Sequence, residues 1–239
     1  MTPQAAPNEL PLRSLLLAAW AVFMKDLRSE LRSRYAINAI LLFAVSTAVA
    51  VSLGVGFIGL RREGDWINIQ SSLLWIALLF AALNGLARSF VQEEETRTGL
   101  ALRLAAPSHA IYLGKLCFNL ALLAILDLVT CLFFMMFIRL QIANPSLFIA
   151  LLVMGSVALA CTTTILAAII AKASLKSALF AVLSFPLLVP LLVIAIQGTA
   201  LAIEGATWSE GFSYLQSLIG FAVAMFVASL LLFRFVWES

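Results

Sequence analysis

Apolar residues along this chain come in six long runs with few polar interruptions, at residues 37–60, 66–87, 116–138, 147–171, 177–203 and 212–233. A helix needs about 20 mostly apolar residues to cross a bilayer core, so each run predicts a transmembrane helix. The short segments of strict apolar–polar alternation that make a membrane β-barrel are absent from the pattern. The expected fold is therefore all-α, a polytopic membrane protein with six spans. The third run carries one acid, Asp127. The fifth carries Pro186 and Pro190, which remove backbone donors and predict a helix break or hinge near its middle.

Two polar stretches have helical periodicity of their own. Between Leu12 and Arg34, the residues Leu16, Trp20, Phe23, Leu27 and Leu31 recur at three- and four-residue spacing. Lys25, Arg28 and Arg32 lie on another face with Asp26, Ser29 and Ser33. That pattern predicts an amphipathic helix lying in the membrane interface, either as an anchor for the first span or as an elbow supporting a subunit interface. Residues 1–36 then form an N-terminal tail and elbow, and residues 37–239 a single six-helix membrane domain. The second stretch, about residues 88–115, is the longest polar connection between spans.

Composition narrows the class. Hydrophobic residues make up 63% of the 239 and charged residues 11%, with a mean hydropathy of +1.07. A soluble domain carries about 25% charged residues, so a soluble enzyme, a disordered chain and a secreted disulfide scaffold are excluded. The three cysteines, Cys117, Cys131 and Cys161, fall in apolar stretches without metal-ligand spacing. No signal peptide is expected in the first 36 residues. The net charge of +3 matters less than its distribution. With a cytoplasmic N-terminus, twelve Lys and Arg residues fall on the inside and three, Arg61, Arg62 and Arg139, on the outside. The positive-inside rule thus places both termini in the cytoplasm. Trp66 and Trp208 fall at outer span ends and Trp237 at an inner one, where interfacial tryptophans collect.

The connection after the second span holds the most chemistry. From Arg88 it runs through Phe90, three consecutive acids (Glu93, Glu94 and Glu95), and Leu100, Leu102 and Leu104 interleaved with Arg103. Pro107 closes it. A short helix that is both charged and apolar suits a groove on a partner; the alternative is a solvated connector skimming the lipid. The chain has no P-loop, so it cannot itself hydrolyse ATP.

Three blocks in this region, Arg88-Ser-Phe-Val-Gln-Glu-Glu-Glu-Thr, Leu102-Arg-Leu-Ala-Ala-Pro107 and Ile111-Tyr-Leu-Gly-Lys115-Leu-Cys-Phe-Asn119, resemble the CcmB family of haem exporter B proteins. Those are membrane subunits of an ABC transporter in cytochrome c maturation. The pattern Phe90, Glu93, Glu95 followed by leucines and proline is shared more widely with ABC-2 type permeases; the Tyr112-Leu-Gly-Lys115 and Asn119 continuation narrows it. The sequence departs from its relatives at Arg97, where a glycine is usual; here Gly99 follows two residues later. The resemblance implies a non-catalytic permease subunit in the bacterial inner membrane, with Glu93, Glu95 and residues 100–104 in the coupling segment. It implies a CcmA-like ATP-binding subunit that carries ATP and magnesium, membrane partners CcmC and CcmD, and a second copy of the chain. A periplasmic haem chaperone is the implied recipient and haem the implied cargo. The chain itself is expected to bind no cofactor, metal or nucleic acid. The rival within the superfamily is an ABC-2 exporter for a lipid, polysaccharide or drug.

The remaining candidates lie within or beside the spans. A charged Asp at a helix centre costs about 2.5–3.5 kcal/mol on insertion scales, so Asp127 must face a cavity, a partner helix or water, or carry a proton. Asn119 and Lys115 precede it on the same run as further pathway candidates. His109, the one histidine, reads as a surface residue at a helix start rather than a haem ligand. Glu204 and Glu210, flanking Trp208, line an outer loop. Ala81 with Gly85, and Ser156 with Ala160, are small pairs that favour close helix contact. The spans lack the Ser/His pair or His-Glu-x-x-His motif of an intramembrane protease. Asp127 alone gives a secondary transporter little support.

Overall fold

The computed structural model describes residues 12–58, 63–86, 104–172 and 176–238, together with Phe90, Glu93, Thr98 and Leu102 of the connector. The described residues form seven helices and no strand: α1 Leu12–Ser33, α2 Tyr35–Ile58, α3 Glu63–Leu86, α4 Ser108–Phe137, α5 Pro145–Lys172, α6 Lys176–Glu204 and α7 Trp208–Glu238. All six expected spans fall on α2–α7. By length and composition, five of these helices (α3–α7) qualify to cross a membrane. In α2, a helix of 24 residues, the apolar stretch that can be assessed is Leu41–Val51.

α5 is the hub, packing against α3, α4, α6 and α7. Its sequence suits that place. Gly155, Ser156, Ala158, Ala160, Ala167 and Ala168 leave room for neighbours. The β-branched run Thr162–Thr163–Thr164 remains helical because each hydroxyl donates to the carbonyl four residues back, at 2.8, 2.7 and 2.6 Å. Trp75 of α3 is fully buried with its ring in the space that a side chain on Gly155 would take. Its Nε1 donates to Thr199 Oγ1 of α6 at 3.1 Å, so one indole fixes three helices.

Several boundaries differ from expectation. α4 begins at Ser108 rather than at 116, so His109 and Lys115 belong to its first turns. Pro107 is its extended N-cap residue (φ −65°, ψ 150°), where the missing N–H is harmless. α6 passes through both Pro186 and Pro190 as one helix. Both prolines lie on its exposed face, beside Phe185 and Val189. Trp237, expected at the interface, is buried near the end of α7.

Candidate functional site: a charged junction under the connector

α1 lies across the start of α4, and Gly114 makes the crossing close. A Cβ there would stand 2.6 Å from the Ala19 carbonyl oxygen and 2.7 Å from Val22 Cβ. Ala19, Val22, Asp26 and Glu30, spaced three and four apart, form the buried face of α1. The exposed face carries Leu16, Trp20 and Leu31. Three of the five stripe residues therefore point away from the protein, while Phe23 and Leu27 are partly buried against the core beside Ala19, Val22 and the two acids.

The crossing delivers Asp26 to Lys115, whose side chain is 0% exposed. Asp26 Oδ2 accepts from Lys115 Nζ at 3.2 Å, and Asp26 Oδ1 lies 3.1 Å from Lys25 Nζ. Glu93 of the connector completes the set: its Oε1 is 3.1 Å from Lys115 Nζ and pairs with Lys25 as well. Two cations and two anions thus close a compact neutral quartet drawn from α1, the connector and α4. Lys25 is the half-exposed member. Burial lowers its pKa, but Asp26 and Glu93 together outweigh that and raise it above the ordinary lysine value. Glu93, 6% exposed, keeps Oε2 buried without a hydrogen-bond partner among the described residues.

Phe90, one turn before Glu93, anchors the same connector on α7. Its ring is buried against Phe233 (6.0 Å) and Trp237 (6.2 Å), and Lys115 Nζ sits 4.6 Å over its centroid. Tyr112 of α4 stacks into this cluster 5.4 Å from Phe233, with its hydroxyl towards Ser229. Beyond Glu93 the backbone stays hydrogen-bonded: Thr98 N–H to Glu93 O (3.0 Å), Leu102 to Thr98 (3.1 Å), and Ala106 to Leu102 (3.1 Å). Leu102 is half-buried, whereas Leu104 is 90% exposed. Among the connector's described residues, Phe90 and Glu93 thus face inward and Leu104 outward. Arg88, Glu94, Glu95 and Leu100 lie outside the described residues.

The candidates within the spans line up on the α4–α5 contact. Asn119 Nδ2 donates to Thr164 Oγ1 at 2.8 Å. Asp127 faces Ser156, eight residues further along α4 and eight back along α5, the register of an antiparallel pair. Asp127 is 8% exposed, and its Oδ1, Ser156 Oγ and Thr130 Oγ1 lack partners among the described residues. Asp127 and Lys115 therefore belong to different sites on α4. His109 is exposed at the start of α4. At the opposite end, Glu204 lines an open cleft of about 520 Å³ with Trp66, Gln70, Arg139 and Gln141. Glu210 instead caps α7, its Oε2 accepting from the Thr207 N–H at 2.7 Å. Among the described residues no group of three His, Cys, Asp or Glu side chains gathers to hold a metal.

Local sequence gave no reason to pair Asp26 with Lys115 or to turn Glu93 inward. Asp26 did carry a signal: it breaks the basic face of α1 in register with Ala19 and Val22.

Long apolar helices around a small-residue hub, with a polar connector folded back onto the ends of the bundle, define a multi-pass α-helical membrane protein. The chain matches the CcmB protein family over residues 17–238, nearly its whole length, and it belongs to that family. Membership makes it a membrane component of a haem-exporting ABC transporter for cytochrome c maturation. Such a permease subunit is non-catalytic and associates with an ATP-binding subunit and other Ccm components. No curated protein matches the chain.

Proposed function

We propose that this chain is one permease half of an ABC transporter in the bacterial inner membrane, with α2–α7 as six spans and both termini in the cytoplasm. A CcmA-like subunit supplies ATP hydrolysis with magnesium. CcmC, CcmD and a second copy of the chain are the membrane partners. The outer face serves haem delivery to a periplasmic chaperone, or that chaperone's release. Haem is cargo rather than a cofactor of this chain.

The observation that carries the reading is the connector's two-sided placement. Glu93 is gripped by Lys25 and Lys115, and Phe90 is held by Phe233 and Trp237, while Leu104 stands clear of the protein. A partner docked on the Leu104 tip would push on a root fastened to α1, α4 and α7 at once. Displacement of a quartet held by short-range charge contacts switches between discrete arrangements rather than bending continuously. α6, with Pro186 and Pro190 on its outward face, is the hinge candidate for the accompanying shift.

Leu104→Asp is the direct test. Its side chain is exposed, so membrane insertion and folding should persist, while stimulation of the co-purified ATPase should fall at least tenfold. Unchanged stimulation would remove the coupling role. Glu93 and Glu95 replaced together by Ala should also abolish stimulation, with an added loss of stability from the buried member.

A further inference from the structure

The fold sorts the charges of α1 by sign. The helix has two acids, Asp26 and Glu30, and both are buried against the protein. Arg13, Arg28 and Arg32, with Arg34 just past the helix end, are all exposed, and Lys25 is half-exposed. A segment mixed in sequence thus presents an outward surface that is basic without exposed acid. Leu12, Leu16, Leu17, Trp20 and Leu31 are exposed on the same side of the helix, at 56–80% of their full surface. Trp20 stacks on Phe23 with ring centroids 5.0 Å apart, which stiffens the stripe.

We propose that the outward face of α1 is a binding surface for anionic phospholipid headgroups. Leu16, Trp20 and Leu31 enter the acyl boundary, and Arg28 and Arg32, one turn apart beside them, take the headgroup phosphates. An apolar stripe alone would fit any lipid. The charge sorting supplies the preference, because each exposed Lys or Arg near an anionic surface adds attraction and no carboxylate on this face opposes it. Arg suits phosphate through its planar fork of donors. The inference does not depend on the coupling role of the connector. It does give α1 two grips, lipid on one face and the Asp26–Lys115 junction on the other.

The test uses the full chain in nanodiscs of phosphatidylcholine alone or of phosphatidylcholine with phosphatidylglycerol, read by amide hydrogen exchange over residues 12–34. Exchange should be markedly slower with phosphatidylglycerol. Arg28→Gln with Arg32→Gln should remove about thirtyfold of that protection, with α5 and α7 unchanged. The anionic lipid retained through purification, measured by mass spectrometry, should fall in the same variant. Equal protection in both lipids, or a difference that survives the double substitution, would overturn the proposal. So would protection that arises only when a partner protein is added.

Discussion

At the end of the bundle that holds the α4–α5 and α6–α7 turns, the chain closes through helix caps and single hydrogen bonds. Asn144 caps α5 through its Oδ1 and donates Nδ2 to the Ala206 carbonyl at 2.8 Å. Its backbone N–H reaches Ala202 O at 3.0 Å. Gly205, in the left-handed region at φ 96°, lets the Ala206 N–H return to Leu201 O at 3.0 Å. Gln70 ties α3 to the Ile138 carbonyl, and Trp208 ties α7 to Ser146. The opposite end is held instead by four charges and an aromatic cluster. Neutral caps are each worth about 1 kcal/mol and act independently. A buried quartet is all-or-none: complete, it is balanced, but with one member missing it leaves an uncompensated charge. One end is thus held by contacts that act one by one, and the other by a set that forms or fails together.

The sharpest way to break this contrast is to unbalance the quartet. Lys115→Met leaves Asp26 and Glu93 facing each other with only half-exposed Lys25 between them. It should cost about 3–5 kcal/mol in detergent unfolding titrations. Adding Glu93→Gln should restore most of that loss. A single-variant loss below about 1 kcal/mol would deny the junction a structural role.

Gly114→Val comes next. The added carbons meet the Ala19 carbonyl and Val22, so α1 must lift from α4 at about 1–3 kcal/mol. Protease sensitivity within residues 12–34 should rise with little change at the turn end. At that other end, Asn144→Ala should cost about 1 kcal/mol and leave ATPase stimulation unaltered. A large loss of stimulation would show that the two ends are not separable.

Asp127→Asn keeps the shape and hydrogen-bonding capacity of the side chain opposite Ser156 and should preserve expression and thermal stability. Collapse of expression would point to a required charge. The smallest effect concerns pH. Because Lys25 is raised in the folded state, its contribution is complete below the ordinary lysine pKa and is lost as pH rises through the folded value, above 10.5. Unfolding midpoints should therefore show no Lys25-dependent change between about pH 7 and 9, as comparison with Lys25→Gln would test.

The spans were legible from hydropathy alone because membrane crossing is a local property: about 20 apolar residues suffice whatever surrounds them. Residues 147–171 and 177–203 fall within α5 and α6 almost end to end. The amphipathic helix was equally plain, and Leu12–Ser33 is helical throughout. Its packing face was not. The stripe was read as one lipid-facing surface, but only Leu16, Trp20 and Leu31 of it are exposed; Phe23 and Leu27 pack partly against the core, beside Ala19 and Val22. Phe90 and Glu93 drew attention as part of a connector, yet adjacent acids offer no local cue to which of them turns inward.

The sequence by itself determined an all-helical membrane protein, its apolar runs, the elbow helix and, through the residues around the connector, its family. Those features depend on the solvent preference and spacing of neighbouring residues. Only the tertiary structure decided that Asp26 would meet Lys115 across 89 positions, that Glu93 would close the quartet, and that Gly114 would be the contact point. It also decided that the acids of α1 would turn inward and its arginines outward. Each of these depends on an approach between helices within about 4 Å. A side chain in one segment specifies such an approach only together with another segment far along the chain.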